Sequence, residues 1–294
     1  MLDFRMDTFL AVCQEMNFTR AAQSLGLTQP AVSQHIRHLE EEYGAPLFIR
    51  DKKKLSLTPA GEILRSALET MRSDEYTLKE RIQNSLTEKR TLTFGVTMTI
   101  GEYAAVPALA QLIKKYPNID LHVRYGNTQT LLSDLKQGKM DFAVVEGYFQ
   151  ADDYDTYIYR NEAYIAVAAA RHQFKKPIRF LKDLTGERLL TREHGSGTRA
   201  ILSKTLALKN MSIHDFKNVV EIENIHAIVE LLCHDCGIAF LYQAAVQKEL
   251  NNGLLKKIPL DDFMVMHDFT FVWNKGSIFS EDYQKFFRIL KQIT

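Results

Sequence analysis

Apolar residues recur along this chain with two different periods, and the change between them divides it. From the N-terminus to about residue 88 the spacing is helical. Met6, Phe9, Leu10 and Cys13 make one apolar stripe, Ala21, Ala22 and Leu25 a second, and Val32, Ile36 and Leu39 a third. Thr19 is placed to cap the second helix, Gly26 permits a tight turn, and Thr28 caps the third, with Pro30 tolerated in its first turn. Two short helices so joined, backed by a third, read as a helix-turn-helix. Leu55 and Leu57 are the inward pair of a two-strand wing flanked by Arg50, Lys52, Lys53 and Lys54. From Thr58 and Pro59 a helical pattern without internal proline runs to about residue 88, about 46 Å at the usual rise. Leu64, Leu68, Met71, Leu78, Ile82 and Leu86 form a stripe on it that no neighbouring element of the chain is evidently placed to cover. An uncovered stripe on a long helix implies a partner helix, most simply from a second copy.

After Arg90 the period changes to alternation. Leu92, Phe94 and Val96 predict a strand, followed by a helix over 106–115, a strand over 119–124, a helix after Thr128 carrying Leu131, Leu132 and Leu135, and a buried strand over 141–145. A second run predicts helix 179–184, strand 188–191, helix 197–208, strand 219–222, helix 225–234 and strand 237–241, with strand 269–273 and helix 281–293 as the tail. Strand and helix alternate, so a mainly parallel sheet in two α/β lobes is expected.

The polar positions now acquire a chemical meaning. With Val32, Ile36 and Leu39 inward, Gln29, Pro30, Ser33, Gln34, Arg37 and His38 point outward. A glutamine amide can bond adenine edges in pairs, arginine suits guanine or phosphate, and Ser33 with the capping end at Thr28 suits phosphate oxygens. Glu40, Glu41 and Glu42 would repel a polyanion, so the N-terminal half of this helix is expected to enter the major groove. The DNA contacts expected from the residues are Thr28, Gln29, Pro30, Ser33, Gln34 and Arg37 on the helix and Arg50, Lys52 and Lys53 on the wing.

The runs Phe18-Thr19-x-Ala21-Ala22-x-x-Leu25, Thr28-Gln29-Pro30-Ala31-Val32-Ser33, Leu39-Glu40, Leu47-Phe48-x-Arg50 and Leu57-Thr58-x-Ala60-Gly61 resemble the LysR-type transcriptional regulators. The resemblance extends more loosely over the whole chain. It implies a winged helix-turn-helix over 1–58, a long linker and dimerisation helix over 59–89, and over 90–294 a two-lobed effector domain like a periplasmic binding protein. Residues 90–163 and 268–294 would form its first lobe and 164–267 its second. It also implies a homodimer, with tetramers and contact with RNA polymerase as further associations.

Ligands of open α/β sheets bind where strands end and helices begin, because backbone amides and the positive helix dipole gather there. Four such junctions carry small polar residues: 95–101 with Thr97, Met98 and Thr99; 126–130 with Thr128 and Gln129; 145–147 with Glu146; and 191–199 with His194, Gly195, Ser196, Gly197 and Thr198. Asn224, at a further helix start, joins the candidates. The last junction, with bare glycine backbone and hydroxyls, should welcome a carboxylate, phosphate or sulfur oxyanion. Within the family, Gly126-Asn127-Thr128, Glu146-Gly147 and Arg192-Glu193-x-Gly195-Ser196-Gly197-Thr198-Arg199 resemble the branch that senses anions of carbon or sulfur metabolism. The competing reading is that each junction merely caps its own helix.

Composition limits the alternatives. With 294 residues, 46% hydrophobic and 25% charged, the chain is an ordinary globular protein with room for two or three cores. A net charge of +1 means that affinity for nucleic acid must come from local placement. Asp3, Arg5 and Asp7 interrupt any export signal, and the longest near-apolar run, 163–170, is far below the ~20 residues that cross a bilayer, so a cytoplasmic protein with no membrane partner is expected. Three cysteines, Cys13, Cys233 and Cys236, fit a reducing compartment. No Gly-x-Ser-x-Gly elbow, Walker loop, dinucleotide glycine pattern or His-Glu-x-x-His is present, so no catalysis, cofactor or metal is expected. The exception is Cys233-His234-Asp235-Cys236, with His226 nearby, which would make the protein a thiol- or metal-responsive regulator. The plainer reading packs both cysteines beneath the strand beginning at Gly237. The family usually has a small residue and an aliphatic at Asp235 and Cys236 and a proline at Tyr242, so this pocket edge departs from its pattern.

Overall fold

The computed structural model describes residues 3–51, 54–85 and 90–291; Lys52, Lys53, Leu86 and Ile293 lie outside the described residues. Helices α1 (Phe4–Glu15), α2 (Phe18–Leu25) and α3 (Gln29–Tyr43) precede the hairpin β1 (Phe48–Asp51) and β2 (Lys54–Leu57). Phe9, Val12, Ala21, Ala22, Val32, Ile36, Leu39 and Leu47 are buried in one cluster, which Cys13, Leu55 and Leu57 flank. Asn17, not Thr19, caps α2: it has the extended backbone that a cap needs, and its side chain accepts from the Thr19 and Arg20 amides. Leu25 is not inward either; as the last residue of α2 it stays 37% exposed, beside a cavity facing the linker helix. Thr28 caps α3 as expected, accepting from the Ala31 amide. Glu40 has a structural duty, its Oε1 accepting from the Leu47 amide at 2.8 Å and so fixing where the wing begins.

The linker helix α4 (Pro59–Ser85) starts at Thr58, whose hydroxyl donates to the Pro46 carbonyl and accepts from the Gly61 amide. Its apolar stripe divides. Leu64 and Leu68 are covered by the head of their own chain, which corrects the expectation of one uncovered stripe, whereas Met71, Leu78 and Ile82 are exposed, together with Ile63. The opposite face docks on the effector half: Asp74 accepts from the Ser277 hydroxyl at 2.6 Å and the Ile278 amide at 3.0 Å, and Arg81 pairs with Asp282 at 2.7 Å.

That half begins with β3 (Arg90–Thr97), α5 (Met98–Tyr103), α6 (Val106–Lys115), β4 (Ile119–Gly126), α7 (Thr128–Lys136) and β5 (Phe142–Val145). A long strand β6 (Tyr154–Ala169) leads to β7 (Arg188–Thr191), α8 (Gly197–Ala207), β8 (Asn218–Glu221), α9 (Ile225–Cys233), β9 (Ile238–Tyr242), α10 (Gln243–Asn251) and β10 (Leu255–Lys257). The chain returns through β11 (Val265–Asn274) and ends in α11 (Ser280–Lys291). The segment expected as helix 179–184 is a 3-10 turn, Leu181–Gly186.

The strands lie in the order β4-β3-β5-β11-β6-β9-β7-β8, with β10 also on β6. Pairing is parallel among β4, β3 and β5 and among β9, β7 and β8, but β11 runs antiparallel to β5 and β6, and β6 antiparallel to β9. The sheet is therefore mixed rather than mainly parallel. The cause is topological: β6 carries the chain out of the first lobe and β11 brings it back, so the two run in opposite directions side by side. Phe142 stacks between Phe94 and Phe271 at 4.9 and 4.5 Å in the first lobe. Ile165, Val167, Ile228, Leu232, Ala239 and Leu241 make a separate core in the second.

Candidate functional site

Two regions assemble the candidate residues. On the head, a groove of about 690 Å3 between α2, α3 and the wing is lined by Gln29, Ser33, Arg37 and Arg50, together with Asn17 and Thr19, which sequence reasoning did not put there. Gln29, Pro30, Gln34, Arg37 and Arg50 are exposed. Gln29 Nε2 donates to Ser33 Oγ at 2.8 Å, so in the free protein these two outward groups, one turn apart, satisfy each other. Arg37 and Arg50 form no ion pair among the described residues, which leaves both cations available to an anion in the groove.

The second region lies between the lobes. A cleft of about 700 Å3 is lined by Thr128, Gln129, His194, Gly195, Ser196 and Gly197 from the predicted set, and by Leu132, Tyr148, Phe149, Arg199, Ser203 and Lys204 outside it. Residues 196, 199, 200, 203 and 204 all face the cleft from α8 and its N-cap; their i, i+3, i+4, i+7, i+8 spacing was the signal that could have found Lys204. Gly197 and Gly147, the latter with φ +86°, touch across the lobes so closely that a Cβ on either would collide with backbone. The lobes are latched nearby by the Gln129 amide donating to the Gly195 carbonyl at 3.2 Å and by Asn127 Nδ2 donating to Glu193 at 3.2 Å.

Beneath the cleft sits Glu146, 1% exposed. Its Oε1 accepts from Thr99 Oγ1 of the first lobe at 3.1 Å and from Thr198 Oγ1 of the second at 2.6 Å. Its carbonyl accepts from Thr128 Oγ1 at 2.7 Å. Burial pushes this carboxyl up to about 7, against the hydrogen bond from Thr198 and the charge of Arg192. Glu146 Oε2 and the hydroxyl of Ser196 are buried outside normal hydrogen-bond reach of any partner, with the Thr97 hydroxyl beside the carboxylate. Orphaned buried polar atoms are rare, and these converge on one place.

The capping alternative is decided position by position. Asn127 caps α7 and Asn224 caps α9, its side chain accepting from the Ala227 amide, so Asn224 is occupied by its own helix. Thr97 and Ser196 stand at the N-caps of α5 and α8 but make no side-chain cap bond. Thr97, Thr99, Glu146 and Thr198 form the floor rather than the lining; Met98 packs half-buried against the second lobe's core, and neither it nor Asn224 lines the cleft. Tyr242, where the family has proline, buries its ring against Tyr164 at 5.4 Å and Phe269 at 4.8 Å.

Cys233 and Cys236 are free, half-buried and packed against the second lobe's core. Burial pushes the Cys233 thiol up, away from the reactive thiolate. The Asp235 between them takes the left-handed conformation at the end of α9, and its carboxylate meets His172 Nδ1 at 2.5 Å. Among the described residues no group of three or more His, Cys, Asp or Glu side chains is placed to hold a metal.

The family description "Bacterial regulatory helix-turn-helix protein, lysR family" matches residues 5–62, and "LysR substrate binding domain" matches residues 86–293. The chain belongs to the LysR family. This LysR-family protein is a DNA-binding transcriptional regulator with an effector-binding domain, a class of proteins that work by binding rather than catalysis. It is 29% identical over 270 residues to the HTH-type transcriptional regulator CysL of Bacillus subtilis, covering 91% of this chain and 89% of that one. In fold it is similar to the regulatory domain of CcmR from Synechocystis in complex with 2-PG, with a TM-score of 0.62 and 21% identity over 70% of this chain and 98% of that one. It is also similar to full-length LysG of Corynebacterium glutamicum with bound arginine, with a TM-score of 0.59 and 18% identity over 99% of both chains. No described helix of the LysR-family chain is long and apolar enough to cross a membrane.

Proposed function

We propose that a small anion held between the two lobes controls how this regulator engages its operator. The observation that carries the reading is the unpartnered Ser196 hydroxyl at the start of α8, in a cleft where two lobes meet through backbone and hydroxyl contacts. A helix start offers amides without intrahelical partners and a partial positive charge, which suits an anionic group. Thr128, Gln129, His194, Gly195, Ser196 and Gly197 are the proposed effector residues, with Thr97, Thr99, Glu146 and Thr198 setting the floor. The CcmR domain binds 2-PG and LysG binds arginine in the solved structures; a negatively charged metabolite is the class that fits this cleft.

On the head, Gln29, Ser33, Gln34 and Arg37 would read base edges, with Thr28, Pro30 and Arg50 positioning the helix on the backbone. Lys52 and Lys53 belong to this proposal from their place in the sequence. The exposed face of α4 with Ile63, Met71, Leu78 and Ile82 is the proposed contact to a second copy. Tetramer formation, contact with RNA polymerase and a cytoplasmic location complete the reading. An effector shifts the equilibrium only as far as it prefers one closure of the lobes.

Footprinting with pure full-length protein tests the first half: a protected, salt-sensitive operator is expected, and its absence across the genome of origin overturns the reading. Thermal-shift measurement with carboxylates, phosphate and sulfate tests the second. A shift that Ser196→Ala abolishes supports the cleft, and no shift with any anion overturns it.

A further inference from the structure

The cleft holds more positive character than one anionic group can use. At one end is the start of α8, with Ser196 2% exposed, lining the cleft and without a partner for its hydroxyl. Lys204 lies seven residues after Gly197, two turns further along the same face of α8. That is about 10 Å of helix, so the two groups line the same cleft about two turns apart.

The other strong cations near the cleft are engaged. Arg192 pairs with Glu193 at 2.8 Å, and Arg199 pairs with Glu221 and donates to the Arg192 carbonyl. Lys204 makes no ion pair among the described residues. Its Nζ stands 3.7 Å from the centroid of Tyr148, a ring of the first lobe that His267 holds edge-on at 4.9 Å. A cation over a half-exposed tyrosine is held weakly and gains from a carboxylate. Apolar Leu132 and Phe149 contribute to the same wall.

We propose that the effector is an elongated anion with charged groups at both ends and a short apolar middle, one end at Ser196 and the start of α8, the other on Lys204. This rests on the reading of the cleft as an anion site and narrows it to a class of ligand. An anion charged at one end only would leave Lys204 uncompensated.

Titration calorimetry on the full-length chain with three probes tests this: butyrate, charged at one end; sulfate, with two charges on one centre; and glutarate, charged at both ends. Glutarate is expected to bind at least about tenfold more tightly than butyrate. Lys204→Met should remove about tenfold of the glutarate affinity and change sulfate by less than about twofold, and Lys204→Arg should restore the preference. Equal losses for sulfate and glutarate, or an unchanged glutarate affinity, overturn the two-ended ligand. Binding of sulfate or butyrate with no gain for glutarate also overturns it while leaving the anion site standing; no binding of any probe removes both.

Discussion

Replacing Glu146 by Gln isolates a single buried ionisation. The side chain is 1% exposed, takes two hydroxyl hydrogen bonds on Oε1 and none on Oε2, and burial raises its pKa from 4.5 to about 7. Between those values the native state holds a proton that the unfolded chain has released. The contribution to stability is therefore full below pH 4.5, falls as pH rises, and is gone above about 7. At about 1.36 kcal/mol per pH unit the loss amounts to about 3 kcal/mol. Glutamine keeps an acceptor for Thr99 and Thr198 and cannot ionise, so Glu146→Gln should be flat over this range where the parent declines. Urea unfolding at pH 5 and pH 8, at fixed protein concentration, measures the difference. Trp273, the only tryptophan and 2% exposed in β11, reports the unfolding of the effector half. Equal declines in parent and variant would refute the reasoning, since the ionising group would then be another. An anion above Glu146 raises the cost of ionising it further, so effector binding should weaken above pH 7 in the parent and much less in the variant.

On the head, Gln29→Ala should relax preference at particular bases by about 1–3 kcal/mol, whereas Arg50→Ala should weaken binding to all sequences and lower the salt slope by about one; binding to an operator and its point variants separates the two. Leu78→Glu with Ile82→Glu should shift the protein to monomer in sedimentation without unfolding it, because both side chains are exposed on α4; a dimer that persists excludes this face. Lys136→Met should reduce the effect of the anion on operator affinity, because the ring it breaks distinguishes the lobe arrangements; an unchanged effect would mean that Lys136 carries none of the coupling.

What could be read without the structure was what is local. The cap at Thr28, the turn at Gly26 and the stripe Val32, Ile36, Leu39 depend on neighbours within one or two turns, and the outward Gln29, Ser33 and Arg37 follow from them. The strand β6 was missed because it has no single period. Its first half alternates irregularly through Tyr154, Asp155, Thr156 and Tyr157, while its last six residues are buried on both faces. A strand that crosses from one lobe to the other samples two environments and shows neither pattern cleanly. At the cleft, a polar residue at a helix start reads the same whether it caps or binds. Asn224 and Ser196 looked alike in sequence, and only the Ala227 amide on one and the unpartnered hydroxyl of the other separate them. The convergence of Thr99 and Thr198 on Glu146, across 47 and 52 positions, is a property of the sheet order rather than of any local run.

The placement of α7 connects these pieces. Its first residues, Thr128 and Gln129, belong to the cleft, and its last, Lys136, lies 3.3 Å from Glu69 of the linker helix and 2.5 Å from Asp153. Arg65 of the same linker helix pairs with Glu69 at 3.2 Å and reaches Asp153 at 3.8 Å, so four charges close a ring between lobe and linker. A helix of nine residues, about 13 Å long, moves as a rigid body. Any opening of the lobes that parts Gln129 from Gly195 would also displace Lys136 relative to α4, and the carboxylates of the ring would then re-pair or separate. The ring is partly buried, so its geometry discriminates between arrangements more strongly than a surface pair would. On the proposed reading, ligand contact at one end of α7 and charge pairing at the other would give different closures of the lobes different energies, which is the condition for a bound anion to alter the spacing of the DNA-reading heads.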